Sequence, residues 1–204
     1  MLINKTVFNR LVIEMNPNII NLEYQDIVLR SALPSDAKTL VAWWRDGAVM
    51  AHAGFPHGIE VDEHDLVKRL EKQKSNDNAH NHLFIIMFSN HPIGEMNVNY
   101  REHEAEIGIK VCESIHQNRG LGRQALKCLI SFLFDAKGID RIVLDTNLAN
   151  KRAQHVYESL GFVSTGIRYQ AFEDQLGVKQ DVIDYLLSRD QYLHLDWRIP
   201  NNDL

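Results

Sequence analysis

The feature that most constrains the fold is a glycine-containing turn at residues 117–123, between a strand-like run at 105–112 and a helix-like run at 121–137. Gly120 and Gly122 allow the backbone to turn tightly where the helix starts. Unpaired N–H groups and the positive end of the helix dipole can then converge on one anion. The turn therefore predicts a phosphate cradle, and a plain tight turn is the alternative.

Two arginines belong to the same turn. Arg119 and Arg123 place cationic side chains beside the glycines. A pyrophosphate could use both guanidinium groups, whereas a plain helix cap needs neither of them. The pair therefore favours the anion site.

The composition is that of a globular protein. Of the 204 residues, 45% are hydrophobic and 24% are charged, and no apolar run is long enough to span a bilayer. Residues 1–15 lack the layout of a signal peptide, which predicts a cytoplasmic location and no membrane partner.

The formal charge is −5 and the Lys and Arg residues are dispersed, so we expect no nucleic-acid binding. A cationic small substrate is favoured instead.

The chain contains no repeat, low-complexity tract or linker that would mark a domain boundary. We expect an N-terminal arm or extra strands at residues 1–22, a single domain at 23–190 and a C-terminal tail at 191–204. The arm and the tail are natural contact pieces for a homodimer.

The pattern of apolar runs predicts the order strand, two helices, three strands, helix, strand, helix and two strands. Runs at 82–88, 93–100 and 105–112 are separated by short polar breaks and predict an antiparallel meander. The helix from 121 then crosses over to a strand at 141–146, which makes that pair parallel. The result is an α+β sandwich around a mixed sheet.

Metal binding is not expected. The ten histidines form no H-x-x-x-H or Cys/His cluster, and Cys112 and Cys128 have no metal-binding spacing. We expect both cysteines to be buried, reduced thiols.

Two segments carry a specific resemblance. Residues 117–122 read Gln-Asn-Arg-Gly-Leu-Gly and match a Q/R-x-x-G-x-G/A loop. Residues 150–162, with Asn150, Ala153, Tyr157 and Gly161 in place, match N-x-x-A-x-x-x-Y-x-x-x-G-F. On these residues the chain resembles the GNAT superfamily of N-acetyltransferases. The resemblance is narrower to the branch of ribosomal-protein N-terminal acetyltransferases and aminoglycoside and polyamine acetyltransferases.

The resemblance covers residue 27 to about residue 187. It implies a mostly antiparallel central sheet with helices on both faces and a parallel strand pair that splays. Its cofactor is acetyl-CoA, with the pyrophosphate on the amides of 119–123 and the pantetheine arm between the strands at 105–112 and 141–146. The N–H of Ile109 would face the thioester carbonyl. The implied cofactor-binding residues are Ile109, Val111, Gln117, Arg119, Gly120, Leu121, Gly122, Arg123, Asn150 and Tyr157.

Acetyl transfer requires a neutral amine, and a primary amine is mostly protonated at pH 7, so a base is needed. Asp145 is the first choice, because the resembling N-terminal acetyltransferases carry a catalytic carboxylate at that spacing; a turn or capping carboxylate is the alternative. Glu106 is the competing base, with an ion pair to Lys110 or Arg101 as its alternative. Glu95 is a third carboxylate.

The resemblance assigns Tyr157 as the general acid that protonates the leaving thiolate, and a core aromatic is the alternative. Asn150 lies seven residues earlier on the same helical face and would bind the cofactor arm, with a simple N-cap as the alternative. The expected acceptor-binding residues come from the segment after the first helix. They are Trp43, Trp44, Asp46, His52 and Phe55.

These residues predict an acetyl-CoA-dependent N-acetyltransferase that acts by direct attack in a ternary complex. The acceptor would be a primary amine, either a small molecule such as an aminoglycoside or polyamine or a protein N-terminus. One alternative is a catalytically silent CoA-binding sensor of the same fold. Another is a nucleotide-binding module, but the chain lacks the lysine-serine pair of a P-loop and the third glycine of a dinucleotide-binding motif.

Overall fold

The computed structural model describes residues 11–13, 19–75 and 80–198. Within these residues the chain forms a nine-stranded sheet with helices on both faces. The strands are β1 (Leu11–Ile13), β2 (Ile20–Tyr24), β3 (Ile27–Ser31), β4 (Asn81–Phe88), β5 (His91–Arg101), β6 (Glu104–Val111), β7 (Arg141–Asn147), β8 (Val163–Glu173) and β9 (Lys179–Ser188). The helices are α1 (Ala37–Arg45), α2 (Gly47–Met50), α3 (Glu63–Ser75), α4 (Leu121–Ser131), α5 (Lys151–Ser159) and α6 (Arg189–Leu193).

The sheet topology confirms the predicted mixed sheet. Its strand order is β1-β2-β3-β4-β5-β6-β7-β9-β8. Every neighbouring pair is antiparallel except β6 and β7, which are parallel and are joined through α4 as a crossover. Among the described helices, none is long and apolar enough to span a membrane.

The N-terminal residues extend the sheet. Residues Leu11–Ile13 pair with β2, and β2 pairs with β3 through a turn at Gln25, whose φ is 53°. Ile20 and Leu22 are buried, so the sheet and its core continue across residue 22. Residues 6–8, an apolar run within the expected arm or extra strands, lie outside the described residues.

The two faces of the sheet carry separate apolar clusters. Successive strand residues point to opposite faces, and β4 shows the result. Phe84 and Ile86 belong to the larger cluster, which includes the buried side chains of α4, while Ile85 belongs to the smaller one with Leu40 and Leu66 from α1 and α3. Both faces are therefore covered by helices, as the resemblance implied.

The residues at 34–36 predict a helix start with Asp36 near the N-cap, and Asp36 is the N-cap residue of α1, although its side chain makes no capping bond to that helix. Pro34 begins a 3-10 turn, so Asp36 is the third residue of that turn and its carboxylate accepts the Leu33 N–H at 2.8 Å. Arg30 holds the same carboxylate with bonds of 2.7 and 2.8 Å. Asp36 therefore fastens the end of β3 and does not cap α1 through its side chain.

The sequence did not predict α6. A capping box between Ser188 and Gln191 starts this short helix. Tyr192 is fully buried and stacks on Phe134 with ring centroids 4.6 Å apart. The first part of the expected tail therefore closes the core beside the end of α4.

Candidate active site

A gap opens between the two parallel strands. β6 and β7 pair only at Glu104 with Arg141, Ala105 with Ile142 and Glu106 with Val143. Beyond these three pairs, residues 107–111 and 144–147 diverge, and we call the space between them the strand gap. The gap confirms the splayed parallel pair that the resemblance implied.

Backbone groups of β6 face the strand gap. The N–H of Cys112 donates to the Ile93 oxygen at 2.9 Å, toward β5. Strand alternation then turns the N–H and C=O groups of Val111 and Ile109 away from β5 and into the gap. The Val111 carbonyl accepts from Gln117 Nε2 at 2.8 Å, so Gln117 occupies one of the main-chain groups expected to bind a cofactor arm.

The glycine turn lies at the mouth of this gap. Gly120 has a φ of +77° and precedes the first residue of α4. Gly122 sits in the first turn of the helix, where an added Cβ would lie 3.3 Å from Val111 Cγ2 and 3.8 Å from Ile109 Cδ1. The first N–H groups of a helix have no partner inside it. The contact of Gly122 with β6 places those groups of α4, and so the predicted cradle, beside the gap.

Guanidinium groups surround the glycine turn. Arg119 lies 5.2 Å from the ring centroid of Phe88, Arg123 Nη2 donates to the Ser159 carbonyl at 3.3 Å, and Arg152 Nη1 donates to Asn118 Oδ1 at 3.1 Å. Among the ion pairs of the described residues, none involves these three arginines. Their positive charge is therefore left for an anion. Sequence reasoning missed Arg152, although it lies inside the second matched motif.

The residues of the second motif lie on α5. Asn150 caps that helix, because its side chain accepts the Ala153 N–H at 3.2 Å. Tyr157 is only 7% exposed, and burial, followed by the charge of Asp145 and by Tyr185, raises the pKa of Tyr157 to about 12. In the described part of the chain, no side chain hydrogen-bonds its hydroxyl. Tyr157 therefore keeps its proton at neutral pH and has a hydroxyl that can donate.

Asp145 is held by an arginine that the sequence did not indicate. Its Oδ2 lies 2.6 Å from Arg168 Nη2, and Arg168 also binds Asp184 through Nε and Nη2. Asp145 and Asp184 are directly opposite in the β7–β9 pairing, so Arg168 separates two like charges that would repel each other. The Asp145 side chain is 51% exposed, which leaves its other oxygen accessible.

Glu106 forms one of the two ion pairs considered from the sequence. Its Oε2 lies 2.7 Å from Arg101 Nη2, and the side chain is 38% exposed. Glu106 lies at the last β6–β7 pair, at the closed end of the strand gap.

A cavity of about 440 Å³ lies on the face of the sheet that α1 and α3 cover. We call it the Glu95 cavity. Its described lining residues are Trp44, Met50, Ile59, Val61, Leu66, Arg69, Leu70, Gln73, Asn81, His82, Leu83, Glu95, Asn97, Val98, Asn99 and Lys110. Lys110 belongs to β6, so the cavity and the strand gap share that strand.

One of the five expected acceptor-binding residues, Trp44, lines this cavity. Trp43 is buried in the smaller apolar cluster, and the Asp46 carboxylate caps α2 by accepting the Ala48 N–H at 2.8 Å. His52 and Phe55 are exposed on the turns that follow α2 and are not among the lining residues of the described chain.

Glu95 has one satisfied and one unsatisfied carboxylate oxygen. Its Oε1 accepts from Trp44 Nε1 and from Lys110 Nζ, each at 2.9 Å. Its Oε2 is buried and has no hydrogen-bond partner among the described residues, and the whole residue is 5% exposed. Two residues along β5, the Asn97 side-chain oxygen lies over Gly108 so closely that a Cβ there would collide with it.

The β8–β9 hairpin fastens the segment that follows α2. Gln175 donates its N–H to the Gly54 oxygen at 3.1 Å and its Nε2 to the Gly58 oxygen at 2.8 Å, and its Oε1 accepts the His57 N–H at 2.8 Å. The Phe172 ring packs against Gly54, which has a φ of +91° and no room for a Cβ. The hairpin therefore fixes the chain immediately before Ile59, a lining residue of the Glu95 cavity.

Cys112 and Cys128 are buried, free thiols, as expected. Burial raises the pKa of both, that of Cys128 to about 12. No group of three or more histidine, cysteine or carboxylate side chains that could hold a metal forms in the described ranges, and a metal-free site stays a prediction.

A family model described as "Acetyltransferase (GNAT) domain" matches residues 26–163, which is more than half of the chain. Among curated relatives, the spermidine N(1)-acetyltransferase of Vibrio cholerae serotype O1 is 26% identical over 133 residues, 64% of this chain and 76% of that protein. An N-acetyltransferase 9-like protein of Nematostella vectensis is 29% identical over 97 residues, 46% of each protein.

Solved structures share the fold. The spermidine N-acetyltransferase from Vibrio cholerae, in complex with CoA and spermine, matches with a TM-score of 0.72 at 23% identity, covering 83% of this chain and 99% of that one. The ribosomal-protein-S5-alanine acetyltransferase from Vibrio fischeri matches with a TM-score of 0.68 at 20% identity, covering 88% and 99%.

Proposed function

Because the chain belongs to the acetyltransferase (GNAT) family, we propose that it transfers an acetyl group from acetyl-CoA directly to a primary amine in a ternary complex. The observation that carries the proposal is the strand gap, which opens after three residue pairs and has the glycine turn at its mouth. A helix N-terminus binds phosphate, and an open strand edge binds an extended chain. Both are present in one place.

The residues present fit the cofactor. The first-turn amides of α4, together with Arg119 and Arg152, would hold the diphosphate, and Arg123 would add to their charge. The N–H of Ile109 points into the gap, where it can donate to the thioester oxygen. Bound acetyl-CoA supplies the acetyl group as a thioester.

Proton transfer is assigned to two residues. Tyr157 donates the proton that the departing sulfur requires, because its pKa of about 12 keeps the phenol protonated. Asp145 takes a proton from the acceptor ammonium through its accessible oxygen, directly or through water. Arg168 fixes the orientation of that carboxylate.

The acceptor is a primary amine of a small molecule or of a protein N-terminus. The relatives named for spermidine and for a ribosomal protein support a primary amine. Direct transfer is supported by the cysteines, because both thiols are buried and have raised pKa values. A covalent acetyl-enzyme would need an accessible thiolate.

Two measurements test the proposal. Calorimetry with CoA measures cofactor binding, and release of free CoA from acetyl-CoA is followed with spermidine, an aminoglycoside, phenethylamine and N-terminal peptides. We expect binding and amine-dependent release. CoA binding without release of free CoA in the presence of any of these amines would contradict the proposed acetyl transfer and favour the catalytically silent sensor.

The base is tested by Asp145→Asn, with Asp184→Asn as the matched control because Arg168 pairs with both carboxylates. We expect Asp145→Asn to lower kcat by about a hundredfold and Asp184→Asn by less than tenfold, since general-base catalysis contributes at least about a hundredfold. CoA affinity should be unchanged in both variants. Equal losses of kcat in the two variants would mean that Asp145 serves the ion pair with Arg168 and not proton transfer.

A further inference from the structure

We propose that Glu95 binds the ammonium group of the acceptor, and that its cavity selects an amine with a single positive charge on an apolar body over a polyamine. This rests on the proposed function and adds a residue and a substrate class to it. The argument combines an unsatisfied carboxylate oxygen, a second acceptor atom beside it, and the charges and apolar side chains around them.

The Glu95 carboxylate is held for binding. Trp44 and Lys110 both bond its Oε1, which fixes the side chain, while Oε2 stays buried without a partner in the described residues. A buried charged oxygen without a hydrogen bond is costly. A cationic N–H donor that reached Oε2 from the cavity would remove that cost, which is a reason for such a ligand to bind there.

Asn97 provides a second acceptor. Residues 95 and 97 of β5 point to the same face, and the Asn97 oxygen reaches over Gly108 on β6. Gly108 lies two residues beyond the last β6–β7 pair, where the strand gap has opened. An ammonium held by Glu95 and Asn97 is therefore next to the strand that lines the gap.

The charges of the cavity disfavour a second ammonium. Of its described lining residues, Glu95 is the one carboxylate, whereas Arg69 and Lys110 are cations. His82 adds no charge there, because its ring lies against Phe84 of the larger cluster on the other face of the sheet, with ring centroids 4.4 Å apart. The lining thus carries one negative and two positive charges, so a further amine of a polyamine would meet like charge.

The remaining lining favours an apolar body. It consists largely of aromatic and aliphatic side chains, whose contact with an apolar group removes that group from water. These side chains are Trp44, Met50, Ile59, Val61, Leu66, Leu70 and Leu83. Free hydrophobic amines and peptides that start with an apolar residue share this chemistry.

The test measures binding without turnover. Wild-type protein is saturated with CoA and titrated calorimetrically with phenethylamine, with a tripeptide amide that starts with leucine, and with spermidine. We expect at least one of the two apolar monoamines to bind at least tenfold more tightly than spermidine. The monoamine that binds more tightly shows whether the site prefers a free hydrophobic amine or a peptide N-terminus. Tighter binding of spermidine would overturn the proposal.

Variants then test the residue. Glu95→Gln should weaken the preferred monoamine at least tenfold with CoA binding unchanged. The matched control is Glu104→Gln, another largely buried, ion-paired glutamate, which lies outside the lining and should bind as wild type. Unchanged amine binding in Glu95→Gln would overturn the assignment. If that variant does not fold, Asn97→Leu takes its place and should give a loss of at least threefold.

The two proposals fail separately. Amine binding that depends on Glu95, without any release of CoA from acetyl-CoA, would contradict the proposed transfer and leave this site standing. Turnover that prefers spermidine and is insensitive to Glu95→Gln would support the transfer and overturn this site.

Discussion

The strand gap and the Glu95 cavity share β6 but are built from different parts of the chain. The gap is largely backbone: an open strand edge and two glycines, all within residues 104–147. The cavity is built from residues of α1, α2, α3, β4, β5 and β6 and of the segment at 59–61. A site made of backbone requires a short local motif, whereas a site made of side chains requires many separate positions to come together. If CoA binds in the gap and the acceptor in the cavity, as proposed, a short motif would fix the cofactor while substitutions in the cavity change the acceptor.

The largest expected effect concerns the proposed general acid. Tyr157→Phe should lower kcat by about a hundredfold, because a positioned acid contributes at least that factor. CoA affinity, measured calorimetrically, should change little. The matched control is Tyr185→Phe, which removes a neighbouring hydroxyl that bonds Glu158 at 3.0 Å. A similar kcat for both variants would remove Tyr157 from the chemistry.

A second variant breaks the gap and spares the cavity. Gly122→Val places a branched side chain against Val111, where a Cβ alone is 3.3 Å from Cγ2. The branched side chain would also fill space at the mouth of the strand gap, so we expect the affinity for CoA to fall by at least about tenfold, or about 1.4 kcal/mol. Calorimetry with CoA measures it.

The control for this variant is Gly166→Val, at an exposed position on β8 with nothing within 4 Å of an added Cβ. It should bind CoA as wild type. If Gly122→Val also binds CoA normally, the cradle is not at this turn.

The smallest effect is a pH dependence through His82, whose ring lies 4.4 Å from that of Phe84 in the larger apolar cluster. Burial lowers the pKa of His82 from 6.5 to about 4, so the unfolded chain binds a proton there at a higher pH than the folded protein does. Stability is therefore full above pH 6.5 and is lost progressively down to about pH 4. The free energy of unfolding should fall by about 1 kcal/mol from pH 7 to pH 5.5 through this group.

Urea unfolding at the two pH values measures the loss. His82→Gln, which cannot take the proton, should lose about 1 kcal/mol less than wild type over the same interval. Equal losses in the two proteins would show that the acid sensitivity lies elsewhere in the chain.

The sequence predicted what depends on local patterns. Apolar periodicity located the meander of β4 to β6, and the glycines at 120 and 122 located the turn that lies at the gap. Short elements without a strong pattern were missed: α6 is five residues long, and β2 crosses the boundary that the sequence placed after residue 22. Such elements are stabilised mainly by packing, which a single sequence does not display.

Side-chain partners were the least predictable part. Asp145 and Glu106 were identified as carboxylates, but the partner of Asp145 is Arg168, 23 residues away on another strand. The Trp44 bond to Glu95 spans 51 residues. The alternation of Glu95 and Asn97 along β5 was a usable signal for a shared face, but nothing in the spacing indicated which helix covers it.

The attachment of Gln175 to the loop at residues 54–58 has a consequence for how a lineage of such enzymes can diversify. The chain beside one wall of the Glu95 cavity is held by the β8–β9 hairpin, through the bonds of Gln175 to His57 and Gly58. Lengthening or shortening that hairpin by one residue would change the shape of the Glu95 cavity without altering any residue that lines it. If the cavity binds the acceptor, a comparison of only the lining residues of two homologues would then miss the change that separates their acceptor specificities.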